Sequence, residues 1–344
     1  MQTMRITIVT LALVWTLFVG ACSARGDNQT ATLEATEATV PDSTTTPRAE
    51  APRQLSAADI QLTQMLDYNE HTLDDTYPYK DTTRSFQWDK IKEKLALVEN
   101  MQASPERWLV FQNYRNQNGE APTVKDYVRD EYKRVADRNG VARYQSAPLY
   151  TLTDTTTVVL YARDGWLAHL TDSVGGFYKV RPIEGDEQYL TPKKYTLLLA
   201  PNTRFTHVAV VDRANQNICT LLFKEEGNWT VTSKNPATTG LKRPPYKQET
   251  PLGVYLIQQK KAKMFYTHDG TTEIAGFAPW ANRFCCGAYI HGIPLNRKEG
   301  TPAEYSPSLG TTPRSHMCVR NATSHAKYVY DNFPTLSSLV VVIE

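Results

Sequence analysis

The chain has 344 residues, 38 Lys and Arg against 36 Asp and Glu for a net charge of +2, and 41% apolar composition. A balance so close to neutral argues against nucleic acid as the main partner. The length allows two or three compact units, each with its own core.

Arg5 precedes an apolar run from Ile6 to Ala21 that is broken only by Thr7, Thr10 and Thr16. As a helix this run reaches only about 24 Å, short of a hydrocarbon core of roughly 30 Å, so a cleaved signal peptide over 1–21 fits better than a permanent span. Val19, Gly20, Ala21 and Cys22 resemble the lipobox at which a bacterial signal peptidase cuts before a diacylated cysteine. Lipidated Cys22 would then anchor the protein to a membrane, with the periplasmic face of the outer membrane favoured because Ser23 rather than Asp follows. An ordinary secreted chain with a chance cysteine is the rival reading. Residues 22–57, rich in Thr, Ala, Glu and Pro, read as a disordered tether.

Residues 58–140 are expected to form a helical module. Trp88, Ile91, Leu95, Val98 and Met101 recur at spacings of three and four, and so do Val124, Tyr127, Val128, Tyr132 and Val135, before Asn139 and Gly140 supply a stop. His71 stands alone there and suggests no chemistry. Over 141–199 the character changes to short β runs, at Ala147–Thr151, Val158–Tyr161, Gly165–Leu170, Phe177–Val180 and Tyr195–Leu199, separated by Asp, Gly and Pro. Trp166, Phe177, Tyr178, Val180 and the Tyr189–Pro192 run resemble bacterial Src-homology-three-like barrels, which implies a small β-barrel that either holds wall polymers or packs as a spacer.

From Thr206 onward three strands are expected, at Val208–Val211, Ile218–Phe223 and Trp229–Ser233, followed by the turn and strand Thr250-Pro251-Leu252-Gly253-Val254-Tyr255-Leu256-Ile257. Phe277–Gly292 then delivers a His291-Gly292 pair, Ser308–Asn321 contains Ser315-His316-Met317-Cys318-Val319-Arg320, and a helical pattern at Ala326–Asp331 precedes a strand at Ser338–Ile343. This order resembles the L,D-transpeptidase (YkuD) family over residues 200–344. The fold class expected for the whole chain is therefore multidomain α+β: a helical module, a small Src-homology-three-like β-barrel and a mainly-β catalytic domain.

The resemblance implies a cysteine acyltransferase acting on peptidoglycan stem peptides. Only a thiolate attacks well, so Cys318 needs an activating neighbour, and His291 can take its proton while a backbone carbonyl near Gly292 orients the ring. By the same resemblance, backbone amides of Met317 and Cys318 face the oxyanion, His316 shapes the pocket within the Ser315–Arg320 loop, and Arg320 holds the loop or a donor carboxylate. The acyl acceptor stays open between a stem amine, water and a protein tethered to the wall, with a non-catalytic wall-binding scaffold as the reading from another class. Carbapenem acylation is also implied, and no metal or organic cofactor. Two departures stand out. The family usually has glycine where this chain has Met317, and Leu295–Ser306 looks like an inserted, lid-like segment. Cys219 reads as a buried apolar residue. Cys285 or Cys286 is open to pairing with Cys219 or another thiol, and a zinc site from Cys285, Cys286, His291 and Cys318 lacks the usual spacing. Basic groups at Lys242, Arg243, Lys247, Lys260, Lys261 and Lys263 face either anionic wall stems or solvent.

Overall fold

A computed structural model describes residues 53–113, 128–129, 131–132, 135–136 and 146–344. The expected signal peptide, Cys22, most of the tether, and Val124, Tyr127, Asn139 and Gly140 of the helical pattern lie outside the described residues. No helix among the described residues is long and apolar enough to cross a membrane.

Ser338–Ile343 is apolar on both of its faces, and the fold accounts for that run. It lies inside a six-stranded sheet ordered Gln61–Gln64, Asn228–Pro236, Asn217–Glu225, His207–Asp212, Ser338–Ile343 and Gly253–Leu256, pairing in parallel with His207–Asp212 and antiparallel with Gly253–Leu256. Successive side chains of a strand point to opposite faces. Leu339, Val341 and Ile343, with Val208 and Val210, enter one core beneath the helix Trp88–Gln102. Val340 and Val342, with Ala209 and Val211, enter a second core that Val329 and Phe333, in and just after the helix Thr323–Asn332, share with Phe284, Ile290 and Val319. A sheet covered on both faces reads as a continuous hydrophobic strand.

A four-stranded sheet, ordered Gln259–Thr267, Ile274–Cys285, Ala288–His291 and Val319–Arg320, contributes to that second core. A further seven-stranded antiparallel sheet runs in the order Thr196–Leu198, Arg107–Phe111, Leu167–Val174, Phe177–Pro182, Tyr189–Pro192, Ser146–Tyr150 and Val158–Arg163 around a core that includes Leu109, Phe111, Leu149 and Val180. Trp166 packs against all three cores.

The strands expected after residue 141 are present, with ends shifted by a few residues. Among the described residues, one helix stands where a helical module is expected. Its first pattern forms the helix Trp88–Gln102, but the neighbouring segments are the strand Gln61–Gln64, the hairpin of Thr76–Tyr79 with Thr82–Ser85, and the strand Arg107–Phe111. Val128 and Val135, assigned to a second helix, belong instead to paired two-residue strands, Val128–Arg129 and Val135–Ala136. The apolar residues there are β-branched and aromatic, and strand pairing outweighs a spacing of three and four.

The expected module boundaries also move. Gln61–Gln64 pairs in parallel with Asn228–Val231 and so adds an edge to the sheet placed after residue 200, while Arg107–Phe111 joins the sheet placed after residue 141. The strands of the expected small barrel lie in a seven-stranded sheet whose pairing order runs from Thr196–Leu198 to Val158–Arg163.

Candidate active site

Ile290 pairs with Val319 and His291 with Arg320 in a short parallel ladder. Ile290 and Val319 are fully buried in the second core. The side chains one position away on each strand, Tyr289, His291, Cys318 and Arg320, therefore share the opposite face and line a cavity of about 1520 Å³. His316 and Ser315 stand at the same cavity, so the structure brings together every residue expected to do chemistry except Met317 and Gly292, which do not line it.

His291 is buried, and its Nδ1 lies 2.6 Å from the carbonyl oxygen of Gly292. A carbonyl only accepts, so Nδ1 carries the proton and Nε2 is left as the base. Burial pulls the imidazole down to about 4, against the pull of the Gly292 carbonyl, so the ring is neutral at pH 7. Gly292 must be glycine because a Cβ there would stand 2.9 Å from Pro279 Cγ and 3.0 Å from Thr323 Cα.

Cys318 is half-buried, and burial pushes its thiol up to about 11, opposed by the facing backbone amide of Tyr289 and the Arg320 charge. The thiol donates to the carbonyl of Gly287, with sulfur and oxygen 3.7 Å apart. The expected hydrogen bond between Cys318 and His291 is thus not formed: the two groups share a face, but the thiol is turned toward Gly287. Rotation about the Cα–Cβ bond of Cys318 redirects the sulfur without moving either strand.

Met317 has φ +121°, so the backbone keeps a conformation that favours glycine although the residue is not one. Its surroundings hold it there. Thr250 Oγ1 donates to the Met317 carbonyl at 2.8 Å and accepts from the Gly240 amide at 2.9 Å, Gln248 Nε2 lies 3.1 Å from the Met317 sulfur, and a Cβ on Gly240 would meet Met317 Cα at 2.8 Å. Ser315 Oγ donates to the Cys318 carbonyl at 2.5 Å and accepts from the Met317 amide at 3.3 Å. The hydroxyl of the threonine-proline turn is therefore what fixes the loop before Cys318.

Two further side chains stand at the cavity. Arg320 Nε is buried with no hydrogen-bond partner, and burial lowers the guanidinium's pKa. His316 is exposed, its Nε2 2.7 Å from Oδ1 of Asp269 at the tip of the hairpin formed by Gln259–Thr267 and Ile274–Cys285. The segment expected to be an inserted lid is pinned at Leu295, which exchanges two backbone hydrogen bonds with Phe277, and reaches the cavity through Ser306.

Residues 206–343 match the family model YkuD, the L,D-transpeptidase catalytic domain. YciB of Bacillus subtilis (strain 168), a protein provisionally named as an L,D-transpeptidase, is 25% identical over 93 residues, covering 27% of this chain and 46% of the relative. The chain thus spans about half the length of that curated relative. An L,D-transpeptidase from Mycobacterium smegmatis aligns with a TM-score of 0.33 at 16% identity, over 52% of this chain and 91% of the other. One from Mycobacterium tuberculosis H37Rv aligns at 0.32 and 17%, over 53% and 92%.

The other cysteines among the described residues do not line the cavity. Cys219 belongs to the first core and Cys285 and Cys286 to the second, so the pairing considered between them is not made. Burial raises the pKa values of Cys219 and Cys285. Cys285 and Cys286 point into the core while Cys318 and His291 point into the cavity, and the four donors do not converge on one point. Gly240, Thr250 and Asp269 were not picked out as site residues in the sequence, because each acts through a contact between distant segments. Lys261 lines the cavity, with Nζ 5.7 Å from the centre of the Tyr289 ring, whereas Lys242 is exposed and lies 3.4 Å from Glu131.

Proposed function

We propose that the protein is a peptidoglycan L,D-transpeptidase in which Cys318 is the nucleophile and His291 the general base. The observation that carries this reading is the shared face of Cys318 and His291 in one cavity, with the imidazole's free nitrogen fixed by the Gly292 carbonyl. Thiol and imidazole are both neutral at pH 7, so the proton passes from sulfur to Nε2 as the sulfur adds to the carbonyl between the third residue of a tetrapeptide stem and its terminal D-alanine. As in the resembled family, the amides of Met317 and Cys318 receive the oxyanion, at roughly 3 kcal/mol per donor, the Met317 amide exchanging its 3.3 Å bond to Ser315 Oγ for it. His291 returns the proton to the departing amine, D-alanine leaves, and the thioester is captured by the side-chain amine of a neighbouring stem. Arg320 offers its unused hydrogen bonds to a donor carboxylate. Lipidation at Cys22 places the enzyme on the periplasmic side of a membrane, with the tether giving reach to the wall.

The deciding experiment incubates purified, delipidated protein with disaccharide-tetrapeptide and reads the products by mass spectrometry. A dimer lacking one D-alanine is the expected product. A tripeptide alone would mean that water is the acceptor, and substrate unchanged by a folded protein would favour the wall-binding scaffold. Cys318→Ala should abolish product while the fold persists, and undiminished turnover in that variant would refute the assignment. A carbapenem adduct on Cys318, seen by intact mass, is expected from the same chemistry.

A further inference from the structure

The geometry points to Asp164, supplied by the seven-stranded sheet, as a positioning residue that holds the turn against which the Cys318 thiol rests. The inference rests on Cys318 being the nucleophile, and it adds a part that lies outside residues 206–343.

Asp164 is fully buried, and both of its oxygens are engaged. One accepts from the Asn113 amide at 3.0 Å. The other accepts from Gln258 Nε2 at 2.9 Å, from Arg283 Nη1 at 2.5 Å and from the backbone amide of Cys286 at 3.1 Å. The last bond is the informative one. Cys286, at φ +50°, begins the turn that leads from Ile274–Cys285 into Ala288–His291. The far side of this turn faces the nucleophile: the Gly287 carbonyl accepts from the Cys318 thiol, and the Tyr289 amide faces the sulfur. A single carboxylate thus grips the back of the turn while the front serves the thiol. Gly165 allows the approach, since a Cβ there would come within 1.9 Å of the Phe284 carbonyl oxygen.

Loosening the turn removes two opposing contacts from Cys318. The Gly287 carbonyl favours the protonated thiol through a long, weak bond, whereas the Tyr289 amide favours the thiolate through a charge-assisted one, which is the stronger kind. Their joint loss therefore disfavours the thiolate. The other charged and titratable groups lining the cavity are His291, Arg320, Lys261, His268, Asp269, His316, Tyr246, Tyr266 and Tyr289, and none of them bonds Asp164.

The test is the rate of Cys318 alkylation by iodoacetamide in the full chain, read on the Cys318 peptide by mass spectrometry at several values between pH 7 and 10, where the thiolate of a group pushed up to about 11 grows roughly tenfold per pH unit. Asp164→Asn should slow modification at every one of these pH values by roughly 3- to 10-fold, as expected for a thiolate population displaced by up to one pH unit. A folded Asp164→Asn protein with the wild-type rates overturns the proposal. If that variant does not fold, Gln258→Ala, which releases one of the carboxylate's partners, should slow modification in the same way by less, and a folded Gln258→Ala with wild-type rates overturns it equally. A wild-type Cys318 whose modification does not rise with pH over this range would instead remove the ionisable nucleophile itself, and with it both readings.

Discussion

Ile290 and Val319 face each other in a parallel pair, both fully buried, and this one contact decides which side chains enter the cavity. Because the strand period is two, seating these two in the core turns His291, Cys318 and Arg320 outward together. A slip of one residue in either strand would bury the thiol or the imidazole.

Arg320 enters the cavity without a described acidic partner, and its Nε finds no acceptor. Replacement by Met breaks no ion pair and removes the cost of desolvating a guanidinium, so stability should hold or rise. The donor should suffer instead. Hydrogen bonds to charged groups contribute about 1.5–3 kcal/mol, so Arg320→Met is expected to raise KM for a tetrapeptide donor by roughly 10- to 100-fold. A donor amidated at its terminal carboxylate should show little difference between the two proteins, and equal losses for both donors would place Arg320 in the loop's structure instead.

Met317 sits at φ +121° while its side chain is buried at 5% exposure, so two effects compete when glycine replaces it. Relief of backbone strain returns about 1–2 kcal/mol. Truncating a buried Met costs about 2–5 kcal/mol, and the added freedom of glycine in the unfolded chain costs a further 0.5–1 kcal/mol or so. Met317→Gly should therefore destabilise the protein by about 2 kcal/mol, seen as a lower denaturant midpoint, although glycine suits the backbone better. A stabilised variant would show that the side chain is not contributing packing.

How much of this was legible in the sequence depends on the reach of each interaction. The strands from His207 to Pro236, the His291-Gly292 pair and the loop around Cys318 were visible because alternation and motif spacing are local. Met317 could be flagged as a glycine position, yet its support by Thr250 and Gly240 was hidden, since that contact joins segments about 70 residues apart. Residues 58–113 misled because only Trp88–Gln102 has a face to lay on a sheet. Gln61–Gln64, with little apolar content, becomes a strand by pairing with Asn228–Val231. The expected contact of thiol and imidazole concerned a side-chain rotation, which no residue pattern encodes.

Asp269 joins the tip of the hairpin to His316 beside the nucleophile, and both side chains are nearly half exposed. Such pairs contribute about 0–1 kcal/mol, so Asp269→Ala should leave the denaturant midpoint within that margin. Access should change more than stability. With the tip released, Cys318 should gain reactivity toward a bulky polyethylene-glycol maleimide relative to small iodoacetamide. An unchanged ratio of the two rates would mean that the contact does not restrict entry.

Three buried histidines set the response to acid. Burial lowers His169 to about 4, His291 to about 4 and His325 to about 3, each from 6.5. Below pH 6.5 the unfolded chain binds protons that the native chain refuses, so stability is full above 6.5 and is lost as pH falls toward 4. Each such proton contributes about 1.4 kcal/mol per pH unit, and Asp164, whose pKa burial raises, opposes by at most one proton over part of this range. A net slope equivalent to two or three protons should appear in denaturant midpoints measured from pH 7 to pH 4.5. His325→Gln keeps a group able to hydrogen-bond Ser233 Oγ, now 2.8 Å from Nε2, but cannot titrate. That variant should lose one proton's worth of slope, and an unchanged slope would mean that His325 does not remain neutral in the folded protein.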